Sequence, residues 1–375
     1  MRTEILLNEN WQFIYHDGSV QEVNIPHTWN AIDGQDGGND YWRGTCVYEK
    51  TFSVPDFDRK TQRVYLEFAG VNASAKVVLN AQTAMTHDGG YSTFRGDITE
   101  LLAEENTLRV VVDNSVNDRV YPQKADFTFY GGIYRDVKLI TVNKDHFDLD
   151  YYGGNGLAVT PMVEGSDGLI RVRTWHNAEN GQVAVTLLDH TGAVVASGEG
   201  TDVSLTIADV HLWDGLEDPY LYTCTATLMV EGRAVDQVST PFGVRTFRMD
   251  PKEGFFLNGR SYPLHGVSRH QDRKGLGNAL TKQHHDEDMA LIREIGANTI
   301  RLAHYQHDQY FYDLCDRYGM IVWAEIPYIS EHMPKGRKNT ISQMKELVVQ
   351  NYNHPSIVTW GLSNEITIST KNTKD

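Results

Sequence analysis

The stretch Ser356-Ile357-Val358-Thr359-Trp360-Gly361-Leu362-Ser363-Asn364-Glu365 decides how the chain is read. An apolar run that stops abruptly at Ser-Asn-Glu predicts a buried strand delivering two polar side chains at its carboxyl end. In an α/β barrel that end faces the active site. Glu365 is therefore the expected chemical centre, and the plainer alternative is a surface carboxylate just past a strand.

Working upstream, the rhythm that leads to this strand begins after Phe242-Gly243-Val244-Arg245. Tyr262 to Val267 is strand-like, and Gln283 to Ile295 is helical, with Met289, Ile292 and Ile295 at a three-residue spacing. Asn298 to Ala303 predicts a second strand, and Asp308 to Tyr318 a helix with Phe311, Leu314, Cys315 and Tyr318 on one face. Met320 to Ile326 predicts a third strand. Thr340 to Asn351 predicts a helix with Ile341, Met344 and Val348 on one face and a Thr340-x-x-Gln343 capping box. Alternating units of this kind make a parallel sheet. A closed barrel needs eight strands, and ten residues after Glu365 are too few for another unit, so the expectation is the first half of a TIM barrel in a truncated chain.

Before that switch the pattern is β. Val64 to Phe68, Ala75 to Leu79 and Thr107 to Val112 are β-branched or aromatic runs separated by Asn and Gly clusters, as in a sandwich. Leu169 to Trp175, Val183 to Leu188 and Tyr220 to Leu228 belong to a second β segment of the size of an immunoglobulin-like sandwich. The expected organisation is a jelly-roll domain at 1–143, an immunoglobulin-like domain at 144–247 and the half barrel at 248–375.

Composition narrows the function. A net charge of -16 repels phosphate backbones and anionic lipid, which disfavours nucleic acid and membranes as partners and leaves a neutral ligand. Nineteen Tyr and seven Trp suit sugar faces as well as cores. The three cysteines are far apart and odd in number, against both a disulfide framework and a CxxC metal site. The start Met1-Arg2-Thr3-Glu4-Ile5 lacks the apolar core of a signal peptide, so a cytoplasmic location is expected.

Each predicted strand of the last region ends in polar residues: Ser268-Arg269-His270, then Arg301 to His304-Tyr305, then Glu325, then Asn364-Glu365. Their convergence on one face fits glycoside chemistry, which uses one carboxyl to protonate the leaving oxygen and another to attack the anomeric carbon or activate water. Glu365 is the candidate proton donor. Asn364, His270 and His304 are candidates for sugar hydroxyls, and Arg301 for steadying a carboxylate through a bidentate pair. No phosphate loop or HExxH helix competes with this reading.

At this point the chain resembles glycoside hydrolase family 2. The likeness rests on Gly266-Val267-Ser268-Arg269-His270, Ile300-Arg301-Leu302-Ala303-His304-Tyr305, Leu314-Cys315-Asp316-Arg317-Tyr318-Gly319, and His354-Pro355-Ser356 with Ser363-Asn364-Glu365, in that order. Upstream, Trp11-Gln12-Phe13, Pro26-His27-Thr28-Trp29-Asn30 and Gly132-Ile133-Tyr134-Arg135-Asp136-Val137 resemble the family's sugar-binding jelly roll. The likeness is to its β-galactosidase branch, with β-glucuronidase, β-mannosidase and a non-catalytic carbohydrate-binding array as alternatives. It implies a retaining mechanism with Glu365 as acid/base, Asn364 on the 2-hydroxyl, His270 and His304 lining the reacting subsite, Arg301 steadying the nucleophile and Asp126 as a sugar contact from the first domain. The family's nucleophilic Glu sits on a later strand and has no counterpart here, so the chain alone is expected to be inactive. An unpaired edge strand points to self-association or a homo-oligomer. No cofactor is required by the sequence. Mg²⁺ is left open, because Glu331-His332 lies where some β-galactosidases hold that ion but without their one-residue spacing.

Overall fold

The computed structural model describes residues 1–35, 41–54 and 57–366. Two antiparallel sheets face one another in the first part. One runs in the order Val20–Val23, Trp11–Ile14, Thr45–Phe52, Asn106–Asp113, Ser74–Leu79, Gln82–Asp88; the other in the order Thr3–Leu6, Val137–Asn143, Gln62–Phe68, Phe94–Asp97. Alternation along Asn106–Asp113 sends Leu108, Val110 and Val112 inward onto Trp11, Tyr48, Leu66 and Phe68, all of them buried.

The next sandwich pairs a three-stranded sheet, Leu157–Glu164, Asp167–Thr174, Asp202–Ile207, with a four-stranded one, Val194–Glu199, Gln182–Leu188, Tyr222–Val230, Arg233–Phe242. Tyr222, Cys224, Ala226 and Leu228 point inward at every second position, and Cys224 is a buried free thiol.

The last part is a parallel sheet in the order Gly266–Arg269, Thr299–Leu302, Ile321–Glu325, Ile357–Gly361, with helices α1 (Lys282–Glu294), α2 (Gln309–Tyr318) and α3 (Arg337–Asn351) between successive strands. Among the described residues no helix is long and apolar enough to cross a membrane. Ile300, Leu302, Val322 and Ala324 meet Phe311, Leu314 and Cys315 of α2 in the buried layer between sheet and helices. Thr281 and His284 cap α1 reciprocally, and the Asp308 carboxylate caps α2 by accepting from the Tyr310 amide at 2.9 Å. Gly319 ends α2 at φ +72°, where a Cβ would also lie 2.0 Å from the Gly215 carbonyl, so only glycine fits.

Several local expectations are corrected. The first strand of the sheet is Gly266–Arg269, not Tyr262 to Val267; Pro263 has no amide to give a ladder, and the Tyr262 amide turns back to the Phe255 carbonyl at 2.9 Å. Ile295 and Tyr318, at helix ends, are 69% and 37% exposed. Helix α3 starts one turn before Thr340, and the Thr340 hydroxyl donates to the Gly336 carbonyl at 3.2 Å, so no capping box forms there. Its buried face is also polar: Asn339, Gln343 and Glu346 are buried with Leu347, while Ile341 is exposed.

That polar face is the seam with the first sandwich. Glu346 accepts from the Ser92 hydroxyl, from His87 Nε2 at 3.0 Å and from Ser342 at 3.1 Å. Gln350 donates to the Thr93 and Tyr152 carbonyls at 2.8 and 2.9 Å, and Asn339 to the Asp88 carbonyl at 2.9 Å. These directional bonds between buried polar groups fix one relative placement rather than a greasy slide, although His87 Nδ1 stays buried without a partner. Arg135 adds a second tie, its guanidinium donating to the Gln271 side chain at 3.2 Å and the Gln306 carbonyl at 3.0 Å.

Candidate active site

Arg301, Trp323 and Glu325 project from the same face of the parallel sheet, Arg301 and Trp323 as register partners and Glu325 two residues further on. The Arg301 guanidinium stacks over the Trp323 ring at 4.7 Å and donates from Nε to Glu325 Oε1 and from Nη2 to Oε2, both at 3.1 Å. Glu325 is fully buried. Its Oε1 also lies 2.6 Å from His304 Nδ1, which Arg301 Nη2 approaches to 3.2 Å, so this side of the imidazole is committed to the network and Nε2 is not. Gly361 makes this possible: a Cβ there would lie 2.6 Å from both Glu325 Cβ and Trp323 Nε1.

Asn364 joins the network, its Oδ1 accepting from Arg301 Nη2 at 2.7 Å. Its backbone is clamped on both sides, the amide donating to the Tyr328 carbonyl at 2.9 Å and the carbonyl accepting from the Ser330 amide at 3.0 Å. The strand stops at Gly361, so Glu365 follows in irregular backbone at φ +52°; it is exposed and makes no hydrogen bond or ion pair among the described residues. A carboxyl delivered by a clamped neighbour and left facing outward is available to a ligand.

The first sandwich supplies a wall. Phe127 lies with ring centroids 4.9 Å from His270, 5.5 Å from Tyr305 and 6.3 Å from His304. His270 and His304 meet edge to face at 5.1 Å. Burial pushes the His270 pKa down, and the neighbouring His304 adds to this, while Asp272, Asp126 and Glu325 pull the other way. Asp126 is exposed beside this group and acts on it through its field. Tyr121 docks the same loop: its hydroxyl accepts from the Met333 amide at 2.5 Å, and its ring meets Tyr328 at 5.0 Å.

The structure therefore brings Arg301, His304, Asn364 and His270 together around Glu325, with Glu365 and Asp126 at the margins. Arg269, quoted with His270 in one motif, turns to the helix side, donating to Asp288 at 3.0 and 2.6 Å and to the Nδ1 atoms of His285 and His307 at 3.0 and 3.1 Å. Asp316 is another anchor rather than a site residue. It accepts from the Ser356 amide at 3.1 Å and hydroxyl at 2.6 Å and from His354 at 2.6 Å, pinning the start of the last strand. Sequence reasoning missed Phe127, Tyr121 and Trp323; the one available signal was the adjacency of Phe127 to Asp126. Glu331 pairs with Lys124 at 3.2 Å and His332 Nδ1 meets the Tyr328 hydroxyl at 3.1 Å, while the three-residue grouping of metal-ligand type among the described residues is Asp313, Asp316 and His354.

Three family models match successive parts of the chain: "Glycosyl hydrolases family 2, sugar binding domain" over residues 5–143, "Glycosyl hydrolases family 2" over 156–245, and "Glycosyl hydrolases family 2, TIM barrel domain" over 250–375. The chain belongs to glycosyl hydrolase family 2. A β-glucuronidase of Bacteroides fragilis is 40% identical across 97% of this chain and 56% of its own length. A β-galactosidase of Thermoanaerobacter pseudethanolicus is 29% identical across 95% of this chain and 49% of its own length. The crystal structure of an FMN-binding β-glucuronidase from Facaelibacterium prausnitzii L2-6 superposes with a TM-score of 0.96 at 44% identity, covering all of this chain and 60% of that one. This chain thus spans about half the length of the curated relatives it matches.

Proposed function

We propose that the protein is a retaining β-glycosidase acting on a terminal β-D-glucuronosyl residue. The observation that carries the glycosidase reading is the Arg301, His304, Asn364 network closed around buried Glu325 beside an unpaired Glu365. Glu365 donates its proton to the glycosidic oxygen as the anomeric bond breaks, then as carboxylate takes a proton from the water that releases the sugar. Asn364 offers its amide to the 2-hydroxyl, and His304 Nε2 and His270 face the remaining hydroxyls. Glu325 is not the attacking carboxylate, because it is fully buried and occupied by Arg301 and His304. A retaining mechanism requires a second carboxylate to attack the anomeric carbon.

Glucuronide replaces the β-galactoside expected from the sequence because the relatives at 40 and 44% identity are named β-glucuronidases, whereas the cited β-galactosidase stands at 29%. A panel of 4-nitrophenyl β-D-glycosides tests this, with a kcat/KM for the glucuronide well above those for the galactoside and mannoside as the expected result. Galactoside preference would overturn the specificity. Glu365→Gln is expected to lower kcat by roughly 10² to 10⁴ on substrates with poor leaving groups. Equal loss on activated aryl and alkyl glycosides would overturn the role of Glu365. A second reading, favoured by buried donors left without partners on a cavity away from this site, is that the protein shares the FMN ligand named for the Facaelibacterium relative.

A further inference from the structure

Outside the candidate active site a cavity of about 630 Å³ lies between the segment from His146 to Ala158, the end of strand Asp167–Thr174 and the last turn of α3. Its lining is apolar in part: Trp175 and Tyr151 are 48% and 57% exposed, and Val348 and Val349 of α3 line it as well. A tryptophan so exposed on a strand end offers a ring face to a ligand.

The polar part is unfinished. Arg171, Arg173 and Trp175 share one face of their strand and its extension, and Arg171 is satisfied by Asp202 at 2.8 and 2.6 Å. The Arg173 side chain makes no hydrogen bond or ion pair among the described residues; its Nε is buried without a partner and its guanidinium sits 5.6 Å above the Trp175 ring. His176 Nδ1 is likewise buried and unpaired. The permanently cationic Arg173 and the unpaired His176 Nδ1 both line the cavity that Trp175 borders, and a guanidinium with an imidazole able to donate is the chemistry that receives a phosphate or carboxylate. Among the described residues the Asp150 carboxylate, also on the lining, accepts no hydrogen bond, and Asp148 accepts only from the Asp150 and Tyr151 amides, at 3.1 and 3.3 Å. These carboxylates suit hydroxyl donors rather than a second anion.

We propose that this cavity binds a planar heteroaromatic ring joined through a hydroxylated chain to a phosphate, with Trp175 and Tyr151 against the ring, Asp148 and Asp150 on the hydroxyls, and Arg173 with His176 on the phosphate. The assignment rests on the FMN reading above and locates it in this chain. The orphaned donors, the polyol-directed carboxylates and the exposed indole are all accounted for by one ligand. Such a ligand bridges the immunoglobulin-like sandwich and α3, so its role is to tie two domains. Glycoside hydrolysis itself transfers no electrons to it.

The test is titration of the protein with FMN, followed by flavin fluorescence, in parallel with riboflavin, which lacks the phosphate, and with 4-nitrophenyl β-D-glucuronide as competitor. Expected are saturable quenching by FMN and at least tenfold weaker riboflavin binding. Arg173→Ala should raise the FMN Kd at least tenfold and abolish the FMN-to-riboflavin difference, with Arg173→Lys recovering part of it. Trp175→Ala should weaken both flavins alike. Both side chains border solvent, so folding is not at stake. Saturable FMN binding unaltered by either substitution overturns the location. No binding of FMN at all overturns the flavin reading itself. Displacement of FMN by the glucuronide at comparable concentration assigns the cavity to an aryl uronoside and overturns the phosphate ligand.

Discussion

Replacing Arg301 with leucine isolates what holds the site together. The substitution removes both guanidinium bonds to Glu325 and the bond to Asn364, and leaves a fully buried carboxylate with His304 as its remaining partner. Stripping one partner from a buried ion pair typically costs about 3 to 5 kcal/mol, because the other charge is stranded. Against a stability of roughly 5 to 15 kcal/mol for a domain, this is a large fraction. Glu325→Gln should cost less, about 1 to 2 kcal/mol, since the side chain of Arg301 is 26% exposed and turns to water. The double variant should then be more stable than the sum of the single losses allows, the coupling being about 2 kcal/mol or more. Urea unfolding followed by tryptophan fluorescence is the assay, with Trp323 reporting directly beneath the guanidinium. A loss below about 1 kcal/mol, or strict additivity in the double variant, would refute the idea that this pair organises the strand ends.

Two other outcomes follow from the seam and from buried imidazoles. Glu346→Ala removes the acceptor shared by Ser92, His87 and Ser342 and should destabilise the protein by about 3 kcal/mol, with limited proteolysis showing early cleavage near the seam; a variant as protease-resistant as the parent would count against the seam. Burial pushes the His285 pKa down to about 4, with Arg269 and Arg135 opposing its protonation and Asp308 and Asp288 favouring it. The unfolded chain binds that proton near pH 6.5 and the folded one only near pH 4. The stability from this residue is thus complete above about pH 6.5 and falls with pH down to about 4, by up to about 3 kcal/mol. Thermal unfolding across that window should show the slope, and His285→Gln should flatten it.

What the sequence determined by itself was periodic and local. Alternation at every second residue marked the sandwich strands, and the change of rhythm near residue 247 marked the parallel sheet, because side-chain direction in a strand or helix follows from backbone geometry alone. Strand ends were legible too, so Arg301, His304, Asn364 and Glu365 could be named as neighbours before any coordinates. Direction at the ends was not: Arg269 and His270 are adjacent, yet one serves the helices and the other the site. The polar face of α3 misled a reading based on apolar spacing, because its partner is a hydrogen-bonding surface some 250 residues away, from Asp88 to Thr93. Phe127 and Tyr121 escaped for the same reason. Their loop reaches the site only after the sandwich and the parallel sheet have docked through Glu346, Gln350 and Arg135, and which surfaces meet across so long a separation is decided by tertiary packing and paired polar groups, not by any local pattern.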